Sequence, residues 1–460
     1  MAASRSPAAR SWLWSWSRRA TSGSSRRSRQ RDDDNRRTRH PAQQRRAAVL
    51  GLRREQAADR FHSLGLPTTK LEEWKYTSLA PLARVDFRLD GRTRGRRDTH
   101  GSSLCGRALA ELVFVNGRFA PDMCTNSEHP TMRVMPIAEA MKGENFERHF
   151  SRYADYAEHS MTALNTALMQ DGAYVEIAPG SHVQGFIHLL FIGGGHDEPI
   201  MAHPRNLIVV GRNSQITVAE TFVGSGTYFT NAVTEIVAGE GAVVDHYKFE
   251  CESTDAFHVG TVQIHQERSS TVTARSIAIG GALVRNEVNA ALAGEGAGLT
   301  LDGLFVVSGS QHVDNHTIID HVKPHCDSLE LYKGILDESS RGIFDGTIIV
   351  RPDAQKTNSR QVNRNLLLSE SAIIDSKPTL EILNDDVKCS HGSTIGQLDE
   401  EALFYLRARG IGEAQARSLL ISAFASEIVD RMKVEPVREQ IRRAIFRQMP
   451  GRLPDRRETP

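Results

Sequence analysis

The sequence predicts a mainly β protein whose strands wind as a solenoid between helical ends, and three observations predict it. From about Tyr174 to Ile395, short runs rich in Val, Ile, Thr and Phe alternate with Gly, Asn, Asp and Ser, as in Gln215–Ala219, Thr261–His265, Thr271–Ile279 and Leu299–Val307. Strands spaced this closely make a sandwich, a barrel or a solenoid. Gly-x-Gly corners recur at Gly224/Gly226, Gly239/Gly241 and Gly294/Gly296; they suit tight solenoid corners and rank that fold first, with sandwich and barrel still open. Helical periodicity is confined to the two flanks.

Residues 1–46 are crowded with Arg and Ser, and their only acids are Asp32, Asp33 and Asp34. They read as a disordered extension, because no apolar run long enough for a secretory signal follows Arg18-Arg19. Folded sequence is expected from about Ala47, with Val49, Leu50, Leu52, Ala57, Phe61 and Leu64 on one helical face. Gly65 and Pro67 stop that helix. Residues 90–107 read as a loop, and Glu111–Phe119 as a hairpin turning at Asn116-Gly117. Residues 136–170 look helical, so 47–170 form a mixed N-terminal domain and 171–396 the β core. A helical C-terminal domain spans 397–445. Its first helix opens on Asp399-Glu400-Glu401 and ends at Gly410. A second, from about Glu413 to Met432, carries an apolar stripe of Ala416, Leu419, Leu420, Ala423, Phe424 and Ile428. Such a pair either docks on the β core or offers its stripe to a partner. Residues 446–460 read as a disordered tail.

Composition excludes several functions. The 460 residues carry a formal net charge of +1, and the basic excess lies in the N-terminal extension, which gives no nucleic-acid footprint. No apolar run is long enough to span a membrane. The five cysteines, at 105, 124, 251, 326 and 389, are odd in number and form no CxxC pair, which fits a reduced, cytoplasmic protein. A plastid address would follow only if the extension were a transit peptide. The chain has no phosphate-binding loop, nucleophile elbow or zinc-protease helix, so it reads as something other than an enzyme.

The segment Asp386-Val387-Lys388-Cys389-Ser390-His391-Gly392 carries the sharpest chemistry. On a strand, Cys389 and His391 project from one face. Thiolate and imidazole suit iron, zinc or an iron–sulfur cluster. The plainer alternative is a Val387, Cys389, His391 stripe packed inward. A second candidate runs from His312 through His316, His321 and His325 to Cys326, whose spacing places the histidines on no single face.

Several segments resemble the SufB/SufD family of the Suf iron–sulfur cluster assembly system. They are Gly65-Leu66-Pro67 through Leu71-Glu72-Glu73-Trp74-Lys75-Tyr76-Thr77, Val113–Gly117, Val313–Cys326, Leu331–Leu336, Lys377-Pro378 through Ile382, Asp386–Gly392 and Leu403–Ile411. The likeness runs from about residue 47 to 432 and lies nearer the SufD than the SufB pattern. Where SufB carries a cysteine, this chain has Val362, Asn363 and Arg364, and SufB follows its matching histidine with Glu, where Gly392 stands here.

The resemblance implies a right-handed parallel β-helix core and a non-catalytic scaffold role in a SufBC2D-type complex. A heterodimer with SufB would form through the β-helix, and the SufC ATPase would bind the C-terminal helices at Phe404, Tyr405, Leu406, Leu420 and Phe424. Sulfur would arrive from a cysteine desulfurase. A nascent iron–sulfur cluster would sit transiently at the SufB interface, with His391 and Cys389 as this chain's share. The chain alone would hold no cluster, and without SufB it could pair with itself. The competing readings are a SufB-like paralogue that holds a cluster itself, and a β-solenoid enzyme or adaptor with no metal role.

Overall fold

In the computed structural model, which describes residues 41–89, 102–104, 106–126, 129–141, 143–194 and 198–448, each turn of the core gives one strand to each of two sheets. One sheet takes 205–210, 228–238, 257–266, 283–292, 312–321, 341–350 and 373–382; the other takes 215–225, 243–251, 271–279, 298–307, 327–336, 358–367 and 388–396. All these neighbours pair in parallel. The fold is a two-sheet parallel β-solenoid of about eight turns.

Register explains the core. Ile208, Ile236, Ile264, Ala290, Ile319, Ile348 and Leu380 stand in line, one per turn, facing the lumen. Burying one such large side chain contributes about 1.5–3 kcal/mol. Corners repeat as well. Asn213, Gly241, Ser269, Gly296, His325 and Lys356 occupy successive equivalent corners, all with positive φ. Each donates its backbone N–H to the corner of the next turn, as Gly241 does to Arg268 at 2.9 Å. The Gly-x-Gly signal thus marked real corners. It missed those where a non-glycine residue accepts the left-handed conformation at a cost of about 1 kcal/mol.

At the N-terminal side, a helix spans Pro41–Leu64 and ends at Gly65 (φ 71°), whose N–H reaches the Phe61 carbonyl at 2.8 Å. It starts earlier than the expected boundary at residue 47; residues 41–46 belong to it, and 1–40 lie outside the described residues. The helical expectation for 136–170 resolves into three pieces, Ile137–Ala140, Glu144–His149 and Ser160–Leu168. The break has a cause. The buried Glu235 carboxylate accepts the backbone N–H groups of Ser151, Arg152, Tyr153 and Ala154, and pairs with buried Arg205 at 2.7 Å. The expected hairpin is present: Ala110–Val115 pairs with Arg118–Phe119 across Asn116 and Gly117, both left-handed. Most of the expected 90–107 loop, and residues 449–460, lie outside the described residues.

Three helices close the chain, Glu400–Ala408, Glu413–Val429 and Glu435–Gln448. The Asp399 side chain caps the first by accepting from Glu401 and Ala402. The second and third lie on the outer face of the sheet that ends with 388–396, burying Ile421, Ala425, Ile428, Val437 and Ile441 against Leu304, Leu331 and Ile335. Docking on the core therefore prevails, on a face rotated from the expected stripe: Leu419 and Ala423 are exposed. Among the described residues no helix is long and apolar enough to cross a membrane.

Candidate functional site at the open end of the solenoid

The last turn has no successor. Strands 373–382 and 388–396 each have one partner and one free edge among the described residues. Their large apolar side chains are left uncovered, with Ile373 and Ile395 each 53% exposed. A free, apolar sheet edge is a template for another chain.

Cys389 and His391 stand on this terminal strand. Their lumen rows are explicit: Cys389 caps the row Leu299, Ser328, Ser359, and His391 caps the row Leu301, Glu330, Gln361. Cys389 is half-buried with Val387 against the core, whereas His391 is exposed. Burial pushes the Cys389 thiol up, partly countered by the Ser359 backbone N–H. Metal ligation would reverse that by stabilising the thiolate. Ser393 and Ser376 close the mouth between the two sheets, 2.8 Å apart. A Cβ built on Gly392 meets nothing within 4 Å, so the outer side of this edge is open too. The inward stripe and the candidate ligand pair share Cys389, which packs on the core, while His391 on the same face is exposed where the lumen ends.

Beneath this pair the lumen is polar. Ser328, Glu330, Ser359, Gln361, Asn363 and Asn365 are all at most 5% exposed. His321 donates or accepts with Ser328 at 2.9 Å, and Ser328 meets Ser359 at 2.6 Å. Burial lowers the His321 pKa to about 4, so the ring is neutral. Gln361 donates to Glu330 at 2.7 Å, and burial raises the Glu330 carboxyl to about 7.

The second sequence candidate does not assemble. His312 and His316 lie on the outer face, bonded to Thr77 (2.8 Å) and Asp314 (2.9 Å). His321 and Cys326 face inward, and His325 occupies a left-handed corner. Another cluster, Glu250, Glu252 and His258, brings three potential ligands within 4.8 Å. Both ring nitrogens of His258 face carboxylates, Glu250 at 2.9 Å and Glu252 at 2.8 Å, and Lys248 also meets Glu250 at 2.8 Å. A ring engaged on both nitrogens has no lone pair for a metal. It is a buried imidazolium in a self-neutralising network.

Among the expected partner-binding residues, Phe404 (72% exposed) and Tyr405 (57%) are exposed on the first C-terminal helix, with the Arg409 guanidinium 4.5 Å from the Tyr405 ring centroid. Leu406 and Leu420 are half-buried. Phe424 packs against the core under Lys333, 3.9 Å from its ring centroid. Sequence reasoning missed Glu330, Gln361 and the third helix. Val437, Ile441 and Ile445, four residues apart after Glu435-Pro436, carried the helix signal. Segments that carry the resemblance meet in space: Glu72 pairs with Lys377 at 3.0 Å, and Thr77 donates to Asp314 at 2.5 Å.

Comparison with known proteins agrees with this geometry. Residues 191–424 match the family described as SUF system FeS cluster assembly, SufBD core domain, and residues 33–189 match the SufBD protein N-terminal region. The N-terminal match reaches back beyond residue 47. The iron–sulfur cluster assembly SufBD family protein of a Synechocystis species is 35% identical, over 86% of this chain and 91% of its own. Iron–sulfur cluster assembly protein SufD of Escherichia coli is 31% identical, over 84% and 90%. Protein ABCI7, chloroplastic, of Arabidopsis thaliana is 35% identical over 61% of each chain. This chain belongs to the SufBD family of iron–sulfur cluster assembly proteins.

Proposed function

We propose that this chain is a non-catalytic scaffold subunit of a SufBC2D-type complex, and that its open solenoid end is one wall of a shared cluster-building site. The observation that carries the reading is the position of Cys389 and His391: side by side in register on a terminal strand with a free edge. A SufB-type paralogue would pair with that edge, cover Ile373 and Ile395, and supply the remaining ligands. The nascent cluster is then cargo, complete only while both chains are together. Thiolate and imidazole from this side satisfy part of the iron's coordination, and separation of the chains opens it.

The ATPase partner fits the first C-terminal helix. Phe404 and Tyr405 are large, exposed and adjacent, as aromatic anchors of an interface are. Leu406, Leu420 and Phe424 would support them from within the helical layer. Because this layer is packed on the sheet that bears Cys389 and His391, movement of the ATPase would be transmitted to the site. A desulfurase would supply sulfur to the complex without contacting this chain.

The test is anaerobic reconstitution with the SufB and SufC partners, measuring iron and sulfide bound per complex. His391→Ala should give an intact complex with most of its iron lost, and Cys389→Ser a smaller loss. Full iron content in an intact His391→Ala complex would remove the reading.

A further inference from the structure

An imidazole that ligates metal through one nitrogen carries its proton on the other, and that N–H needs an acceptor to fix the ring and its tautomer. This inference rests on the proposed role of His391. The row beneath that ring consists of Gln361 and then Glu330, each in register and fully buried. Strands lie about 4.8 Å apart, so consecutive members of a row are in mutual reach.

The side chains of this row are polarised. Gln361 Nε2 donates to Glu330 Oε2 at 2.7 Å, while Gln361 Oε1 is buried without a partner among the described residues. Here the Glu330 carboxyl oxygen is the acceptor and the amide nitrogen the donor. The carboxyl therefore holds the amide nitrogen on its own side, and the amide oxygen is left for the other side of Gln361, where His391 stands. A buried, unpaired acceptor costs about 1–3 kcal/mol. The polar network in the middle of the lumen contrasts with this. There Lys248, Glu250 and His258 pair with one another, and Asn286 donates to Glu250 at 2.6 Å. At the mouth, the unpaired Gln361 Oε1 belongs to the row that His391 caps.

We infer that Gln361, oriented by Glu330, is the hydrogen-bond acceptor that fixes the His391 ring for ligation. Both are positioning residues, and neither touches the cargo.

The experiment combines two readouts on full-length protein. Nitrogen NMR of histidine-labelled chain reports the His391 tautomer in the absence of metal, and iron per reconstituted complex reports ligation. In the wild type, one tautomer should dominate. Gln361→Leu, which keeps the bulk and removes the acceptor, and Glu330→Gln, which frees the amide to turn, should both return His391 to a mixed, solution-like tautomer population and lower bound iron several-fold. Unchanged tautomers in both variants would overturn the inference, whatever the iron content. His391→Ala separates the two claims. If it loses iron while Glu330→Gln and Gln361→Leu lose none, the site stands and the positioning role falls. If it keeps iron, the site reading fails, and the tautomer measurement still decides whether Gln361 bonds the ring.

Discussion

Lys333 stands 3.9 Å from the centroid of the Phe424 ring and donates to the Phe424 backbone carbonyl at 2.7 Å. Glu427 closes the other side at 2.8 Å and also meets Arg364 at 3.2 Å. Lys333 and Arg364, on consecutive turns of the solenoid, both hold Glu427 and so rivet the second C-terminal helix to those turns. Phe424 is therefore a fastener, and the exposed aromatic surface belongs to Phe404 and Tyr405.

Lys333→Met should keep the bulk and lose the rivet, weakening the helix contact by about 1–3 kcal/mol. Amide hydrogen exchange across Glu413–Val429 should quicken while the lumen strands stay protected. Phe404→Asp should leave exchange unchanged and abolish capture of the ATPase partner. Equal protection in Lys333→Met would contradict the rivet.

The buried imidazolium makes stability depend on pH. Burial alone would lower the His258 pKa, but Glu250 and Glu252 outweigh burial and the neighbouring Lys248, leaving it above the ordinary 6.5. A raised folded value means that the stabilisation is complete below 6.5 and is lost as pH rises through the folded value. Thermal melts of wild type and His258→Gln should therefore differ most in mildly acidic buffer, with the gap narrowing by a few degrees in alkaline buffer. A constant gap would show the ring to be neutral.

Glu330 shifts stability in the same direction for a different reason. Its carboxyl stands at about 7 when folded, against an ordinary 4.5, because burial disfavours the charge. Stability falls as pH climbs from 4.5 through 7, by up to about 3 kcal/mol. Glu330→Gln should recover much of that in mildly alkaline buffer and raise the melting temperature there. A buried acid kept at such a cost marks a functional position. A variant less stable than wild type at that pH would contradict this account.

The solenoid was legible because its texture is local: alternating β-formers, and left-handed corners that glycine announces. Only some corners carry glycine; Ser269, His325 and Lys356 adopt the same φ without that signal. Cys389 and His391 were legible because a two-residue spacing on a strand fixes their common face. Glu330 was hidden by the same rule. In Ser328-Leu329-Glu330-Leu331-Tyr332, alternation assigns the leucines to the core and the acid to solvent. The structure reverses this. Leu331 is covered by the C-terminal helices, Leu329 is 39% exposed, and Glu330 faces the lumen. Which side of a strand is inside depends on what later packs on it, and residues some ninety positions away decide that here.

The most direct test of the shared site is electron–nuclear spectroscopy of the paramagnetic cluster in the reconstituted complex, with histidine isotope-labelled in this chain alone. A nitrogen coupling that changes with the label and vanishes in His391→Ala is the expected result. A cluster with full intensity and no coupling to any histidine of this chain would contradict the account.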